Sequence, residues 1–334
     1  MIGLDIGAYS IKGIELQQKD KVNTLVNFKV QGRSGEGEEK DSLAAAVKKF
    51  FREANFSGKD VNISVSGHLV IVRFVELPRM SEDELKSAVR FEVEKYIPFS
   101  VDEAILDYQA TVNNPQSKNV AIIFAAAKND FVKHHIDTVQ QAGFTVKGVD
   151  VDGIALTNAF LSAYPAQKEE NKDKAVALLN VGDGFLNVSI AWQGIPYVVR
   201  DIKGAGGELT EEISKTLGVG KEEAYQLKHN PPPDKKDAIT NAIRPALSKM
   251  TKEISLSFGY FENQFAKEVE KVYLSGGSSG LFGLKEFLSE SFDVQVEDWD
   301  PLNSIKLNEN ISTESLKEAK ASLGVALGLA IRDD

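Results

Sequence analysis

Hydrophobic positions alternate along the first thirty residues. Ile2, Leu4 and Ile6 share one parity, a glycine turn follows, and Ile11 and Ile14 lead to a third run from Thr24 to Val30. This period of two predicts a three-stranded meander. After a charged, glycine-rich loop at 32–41, Leu43, Ala46, Val47 and Phe50 recur at helical spacing up to Asn55. Residues 61–67 and 70–77 read as strands, the second ended by Pro78. Ser81 and Glu84 have capping-box spacing ahead of an apolar stripe of Leu85, Ala88, Val89, Val93 and Tyr96, which Pro98 stops. Strands at 104–112 and 120–127 follow, then a helix that Asp130 is expected to cap and Gly143 to close.

A helix begins in 150–160, and 164–174 is the most linker-like stretch of the chain. Beyond it the pattern restarts. LDIGAYSIKGIEL, from Leu4, overlays LNVGDGFLNVSIA, from Leu179, and this self-similarity suggests a duplicated domain. A helical region at 207–227 precedes a long helix carrying Ile239, Ile243, Leu247, Met250, Ile254, Phe258, Phe261 and Phe265 near one face, with Pro245 a candidate kink. A strand and glycine-rich turn occupy 269–280, one more short strand 294–299, and Ser312 or Thr313 is expected to cap the last helix.

Length and charge narrow the picture. A chain of 334 residues exceeds a single core and predicts two domains. The formal charge of -10 argues against nucleic acid as the main partner. The sequence has no Cys, which excludes disulfides, thiolate chemistry and iron–sulfur clusters. Of its four His, the adjacent His134 and His135 cannot face one way on a helix, so an imidazole-rich metal centre is not expected. The acidic Asp5 and the lack of a basic flank argue against a signal peptide, and no window reaches the roughly 20 apolar residues of a membrane span. The expectation is a cytosolic protein that meets a membrane only through a partner.

Three glycine-rich turns follow strands: at Asp5-Ile6-Gly7, at Asn180-Val181-Gly182, and at Ser275-Gly276-Gly277. Such turns leave backbone N–H groups uncovered for phosphate. Asp5 is placed to hold a water of a phosphate-bound Mg²⁺, and Ser10 and Lys12 to donate to phosphate from the returning strand. GxxxxGK followed by Ser or Thr is absent, and GAGG at 204–207 lacks the dinucleotide arrangement. Gly206 and Gly207 instead stand between a strand and a helix, where phosphate or ribose can approach.

These turns resemble the phosphate 1, phosphate 2 and adenosine motifs of the superfamily that unites actin, the large heat-shock chaperones and FtsA. VRFVELPRMSEDELKSAVRFEVEKYIPFSVDEAILDYQ (72–109) is closer still to the PilM family of type IV pilus assembly. The resemblance implies an α/β fold, the duplicated actin-like ATPase (ribonuclease H-like) fold with an FtsA/PilM-type 1C-like insertion. It implies a first domain of 1–72, continued by 148–173 and the C-terminal helix 320–334. An inserted partner-binding subdomain would occupy 73–147. The second domain would be 174–319, with its own insertion at about 208–268.

By the same resemblance ATP or ADP with Mg²⁺ is the expected cofactor. Asp5, Gly7, Ser10 and Lys12 fall on the first phosphate motif, and Asn180, Gly182, Asp183 and Gly184 on the second. Gly206 and Gly207 match paired glycines that approach the nucleotide, and Gly276, Gly277 and Ser278 match the adenosine motif. Asp5, Asn180 and Asp183 are the expected metal-side residues. Two positions depart from the pattern: Asn180 replaces the usual Asp, and Tyr225 in EEAYQLK replaces a Glu, while Lys228 remains. No general base is assigned, so ATP binding is expected, with hydrolysis very slow or absent. The implied role is a scaffold or switch of the pilus platform, recruited to the inner membrane face by the cytoplasmic N-terminal tail of a PilN-like bitopic protein. Arg73, Arg79 and Arg90 are its candidate contacts. The rival readings are an FtsA-like filament former, a small-molecule kinase, and the cytoplasmic part of a type II secretion platform.

Overall fold

The first hairpin sets the frame of the molecule. In the computed structural model, β1 (Ile2–Ile6) pairs antiparallel with β2 (Ser10–Lys19), which pairs in turn with β3 (Val22–Gly32). The structure describes residues 1–20, 22–33, 43–111, 118–165 and 173–332. Most of the charged loop expected at 32–41 and the middle of the linker expected at 164–174 lie outside the described residues. Helix α1 (Leu43–Ala54) buries Val47, Phe50, Phe51 and Ala54 against this sheet, and β4 (Asp60–Val65) joins β1 in parallel. Each fully buried side chain of this kind contributes about 1.5–3 kcal/mol.

A smaller sheet interrupts the first. Strand β5 (Val70–Pro78) is followed by α2 (Glu82–Val93), β6 (Ala104–Ala110) and β7 (Asn119–Lys128), in the order β5-β7-β6. The Ser81–Glu84 capping box opens α2, and Val89 and Val93 anchor it on Ile122 and Phe124. Helix α3 (Asn129–Gln141) and β8 (Thr145–Val151) then return to the first unit. Val139 sits in the core with Leu4 and Phe50, and β8 extends the sheet beside β4. The strands of the inserted sheet run from Val70 to Lys128, and α3, which the implied 73–147 subdomain would also include, packs Val139 into the core of the first unit. The N-cap of α3 is Lys128, and Asp130 lies inside its first turn.

Helix α4 (Asp152–Ala163) leaves β8 and runs between the two halves of the molecule; the Gly153 carbonyl accepts from Ser189 Oγ of the second half at 2.9 Å. That half is a second sheet, ordered β11-β10-β9-β12-β13. Its members are β9 (Ala175–Val181), β10 (Phe185–Trp192), β11 (Ile195–Lys203), β12 (Val269–Ser275) and β13 (Gln295–Asp298). Helices α5 (Gly206–Leu217), α6 (Lys221–His229) and α7 (Lys236–Phe265) intervene between β11 and β12, and α8 (Leu284–Phe292) follows. Pro245 lies inside α7, which continues through it.

The chain then crosses back. The two-residue β14 (Lys306–Leu307) pairs with β3 at the edge of the first sheet, and Ser312 caps α9 (Thr313–Ala319). Last, α10 (Gly324–Ile331) packs on β1 and α4, so closely that a β-carbon on Gly3 would stand 2.0 Å from the Ala326 carbonyl oxygen. Each half thus offers the end of a hairpin to the space between them. Among the described residues no helix is long and apolar enough to cross a membrane.

Candidate functional site

The two hairpins are built alike. Register places Asp5 opposite Lys12 in the first and Asn180 opposite Asn187 in the second, so each turn carries a facing polar pair at the same spacing. In the first hairpin the pair is ionic, with Lys12 Nζ 3.1 Å from Asp5 Oδ2. In the second it is an amide pair, Asn180 Nδ2 donating to Asn187 Oδ1 at 2.6 Å. The third turn is stitched to its neighbours: the Ser278 N–H donates to the Val181 carbonyl at 2.9 Å, and the Gly276 N–H to the Ala321 carbonyl at 2.6 Å.

Between the turns lies a cavity of about 400 Å³, within the size range of small-molecule sites. Asp5, Gly7, Ser10 and Lys12 line one side, Asn180, Gly182, Asp183 and Gly184 the other, and Gly276, Gly277 and Ser278 the floor between. Tyr9 and Tyr225 close one side: their rings stack at 4.6 Å and 13°, joining the first half to the second. Burial and the neighbouring Tyr9 push the Tyr225 phenol up to about 12, so it remains a protonated donor.

The wall is rich in acid. Asp5, Asp152, Asp183 and Glu318 face the cavity together with Lys12. A polyanion could not enter such a wall alone; accompanied by a hard divalent cation it could, and carboxylate and amide oxygens are suitable direct or water-mediated partners for magnesium. The donor set therefore fits the implied metal. Asp152 is strongly perturbed. Burial first, then the charges of Asp5 and Asp201, push its carboxyl up to about 7, while the hydroxyls of Ser64 and Ser66 pull the other way. A carboxyl poised near neutrality and open to the cavity can take a proton from water or from a ligand hydroxyl.

Three of the residues expected to touch nucleotide lie behind the wall. The N–H groups of Gly206 and Gly207 donate to the Gly182 and Asp183 carbonyls, each at 2.9 Å, and are not directed into the cavity. Close approach explains the glycine at 206: a β-carbon there would meet Ser278 Oγ at 2.0 Å and the Gly182 oxygen at 2.9 Å. Lys228 is fully buried beneath them, its Nζ donating to Gly206 O at 3.0 Å and Thr210 Oγ1 at 2.9 Å, with Ser278 Oγ at 3.4 Å. Burial brings its ammonium down to about 8, against the opposing pull of Asp183. These groups brace the second and third turns.

The candidate partner arginines have separate surroundings. Arg73 is half-buried, donates to the Val72 carbonyl, and lies over the Tyr96 ring at 5.6 Å. It lines a second cavity, of about 190 Å³, with Arg200 of β11. Arg79 is exposed at the end of β5, and its backbone N–H donates to the Lys118 carbonyl. Arg90 pairs with Asp102 on the outside of the insert.

Asp152 and Asn187 carried no chemistry in the sequence reading. Asn187 was within reach, since the overlay of the two glycine turns sets it against Lys12. Asp152 had only the signal of an acidic residue at a strand-to-helix junction.

The family model for the type IV pilus assembly protein PilM matches residues 3–334. The chain belongs to the PilM family. Among solved structures, a chain of a PilM–PilN type IV pilus biogenesis complex superposes with a TM-score of 0.86 at 27% identity, over 99% of this chain and 97% of that one. The ethanolamine utilization protein EutJ from Carboxydothermus hydrogenoformans superposes with a TM-score of 0.55 at 14% identity, over 99% of this chain and 88% of the other, a likeness of fold alone. The fold of this PilM-family chain is accordingly the α/β, actin-like one.

Proposed function

We propose that this PilM-family protein is an ATP-binding scaffold and switch of the type IV pilus assembly platform, held at the inner face of the membrane by the cytoplasmic tail of a PilN-like protein. The observation that carries the reading is the near-complete superposition on a PilM taken from a PilM–PilN complex. The nucleotide part is supported by the cavity between two like-built glycine turns. There Lys12 would meet phosphate, Asp5, Asn180 and Asp183 would address Mg²⁺ or its waters, and the Tyr9–Tyr225 stack would border the base or ribose. Bound magnesium would neutralise phosphate charge against the acidic wall. Gly206, Gly207 and Lys228 would act indirectly, by holding two of the turns. Because Tyr9 belongs to the first half and Tyr225 to the second, occupancy would favour a closed arrangement of the halves.

The inserted sheet is the proposed receptor for the tail, and an extended peptide in a groove combines backbone hydrogen bonds with apolar pockets. Two titrations test the reading. Calorimetry should give magnesium-dependent ATP binding that Asp5→Ala weakens; magnesium-independent binding unchanged by Asp5→Ala would refute the metal site. Fluorescence anisotropy with a PilN-like N-terminal peptide should give low-micromolar or tighter affinity, about -8 kcal/mol. Charge reversal at Arg79 or Arg90 should weaken it while circular dichroism stays unchanged. A cognate peptide that fails to bind refutes the partner assignment.

A further inference from the structure

Behind the second glycine turn, three side chains form a hydrogen-bonded row. Asn180 Nδ2 donates to Asn187 Oδ1 at 2.6 Å, and Asn187 Nδ2 donates to Asp201 Oδ1 at 2.6 Å. The other carboxylate oxygen, Asp201 Oδ2, accepts the Gly67 N–H at 2.5 Å. An ionised carboxylate only accepts, whereas an amide has one face that donates and one that accepts. Burial raises the Asp201 carboxyl, while the N–H groups of Gly67 and Asn187 that it accepts favour its ionised form; in that form the row has a direction, and Asp201 sets it. Asn187 must turn its NH₂ to the carboxylate, which leaves its oxygen for Asn180. Asn180 must then turn its own NH₂ to Asn187. Its remaining Oδ1 lies against the third turn, 2.7 Å from where a β-carbon of Gly276 would stand, in the wall that both residues give to the cavity.

We infer that Asp201 is a positioning residue which, through Asn187, turns the Oδ1 of Asn180, a hydrogen-bond acceptor, toward the cavity wall. The usual carboxylate at position 180 would accept by its nature; an amide needs to be told which way to face. Held this way, Asn180 addresses the water shell of a cation, whose hydrogens point outward, and turns away from phosphate oxygens, which need a donor. The same carboxylate grips Gly67, which lies between β4 and β5, at the root of the inserted sheet. That contact is tight. Gly67 has φ +100°, and a β-carbon on it would stand 2.9 Å from the Phe185 ring of the second half. One carboxylate thus ties the facing of Asn180 to the seating of the insert.

The role toward ligand rests on the nucleotide reading above, but the direction of the row does not, and variants separate the two. Asp201→Asn can keep the Gly67 bond with its oxygen while offering NH₂ to Asn187, which lets the whole row reverse. Magnesium should then strengthen ATP binding at least tenfold less than in the wild-type protein, with magnesium-free affinity retained or raised. An equal loss with and without magnesium, or an unchanged magnesium effect, would overturn the assignment. Asn180→Asp sets two carboxylates competing for the one NH₂ of Asn187, and should lower the thermal midpoint. Adding Asp201→Asn to it gives a row consistent in the opposite direction, and should restore the midpoint without nucleotide present. Destabilisations that merely add would show that the row has no imposed direction. Should the wild-type protein bind no ATP, the nucleotide reading and the ligand-facing role fall together, and the unfolding arm alone judges the row.

Discussion

Replacing Asp152 by Asn removes one ionisable group from a place where ionisation is costly, and the cost can be worked out. The carboxyl is raised from an ordinary 3.8 to about 7, mainly by burial and next by Asp5 and Asp201. Such a rise corresponds to about 4 kcal/mol. The sign follows from proton counting. Between pH 4 and 7 the folded protein holds a proton on Asp152 that the unfolded chain has released, so this group makes stability fall as pH rises through that window. Above pH 7 the full penalty is present; below pH 4 it is gone. Asp152→Asn keeps the shape and abolishes the penalty. Urea unfolding of wild type and variant, without nucleotide, should give curves that converge near pH 4 and separate steadily to pH 7, the variant being the more stable by up to about 4 kcal/mol. A difference independent of pH, or a variant less stable at pH 8, would refute the reasoning.

Lys228 should show the opposite slope: its ammonium is lowered to about 8, so the unfolded chain binds the extra proton and stability should rise between pH 8 and 10.5, a rise that Lys228→Met removes in the same unfolding assay. Gly206→Ala should push Ser278 and the second turn apart, costing on the order of 2 kcal/mol in stability and most of the ATP affinity by calorimetry; a variant with wild-type affinity would show that the brace is dispensable. Phosphate release at saturating ATP should be far below about 1 per second, and any residual rate should disappear in Asp152→Asn; turnover in the ordinary enzyme range would reveal catalytic groups not identified above.

The periodicity of side chains made most strands and helices legible, because period and punctuation are local properties. The Ser81–Glu84 capping box forms as its spacing implies, since both partners lie within one turn. Which sheet a strand joins is not local. The strand at 145–151 was not read from the sequence, where it is short and interrupted by Gly148, and its pairing with β4 is what makes it a member of the first sheet. The glycines at 206 and 207 announced a close approach but not its object, which is the second turn itself. Asp152 was hidden for a related reason: its chemistry comes first from burial and then from the charges of Asp5 and Asp201, all set by segments distant in sequence. The amide at 180 was visible as a departure, while the row that orients it needed three strands and a loop to assemble.

The seating of α10 on β1 has a consequence for how the molecule is made. Gly3 on one side of β1 packs against α10, while Ile2 and Leu4 on its other side are covered by α1, so the first sheet gains one face early and waits for a segment far along the chain to close the other. By contrast the second sheet, with the helices between β11 and β12, draws its core from 175–296 alone and can close while synthesis continues. The half synthesised second can therefore fold first, and serve as the surface on which α4 docks. Until α10 arrives, the apolar face of α4 and the side of the first sheet that carries Ile14, Leu16 and Leu25 stand open, which makes this interval the one in which a nascent chain is most exposed to association with its neighbours.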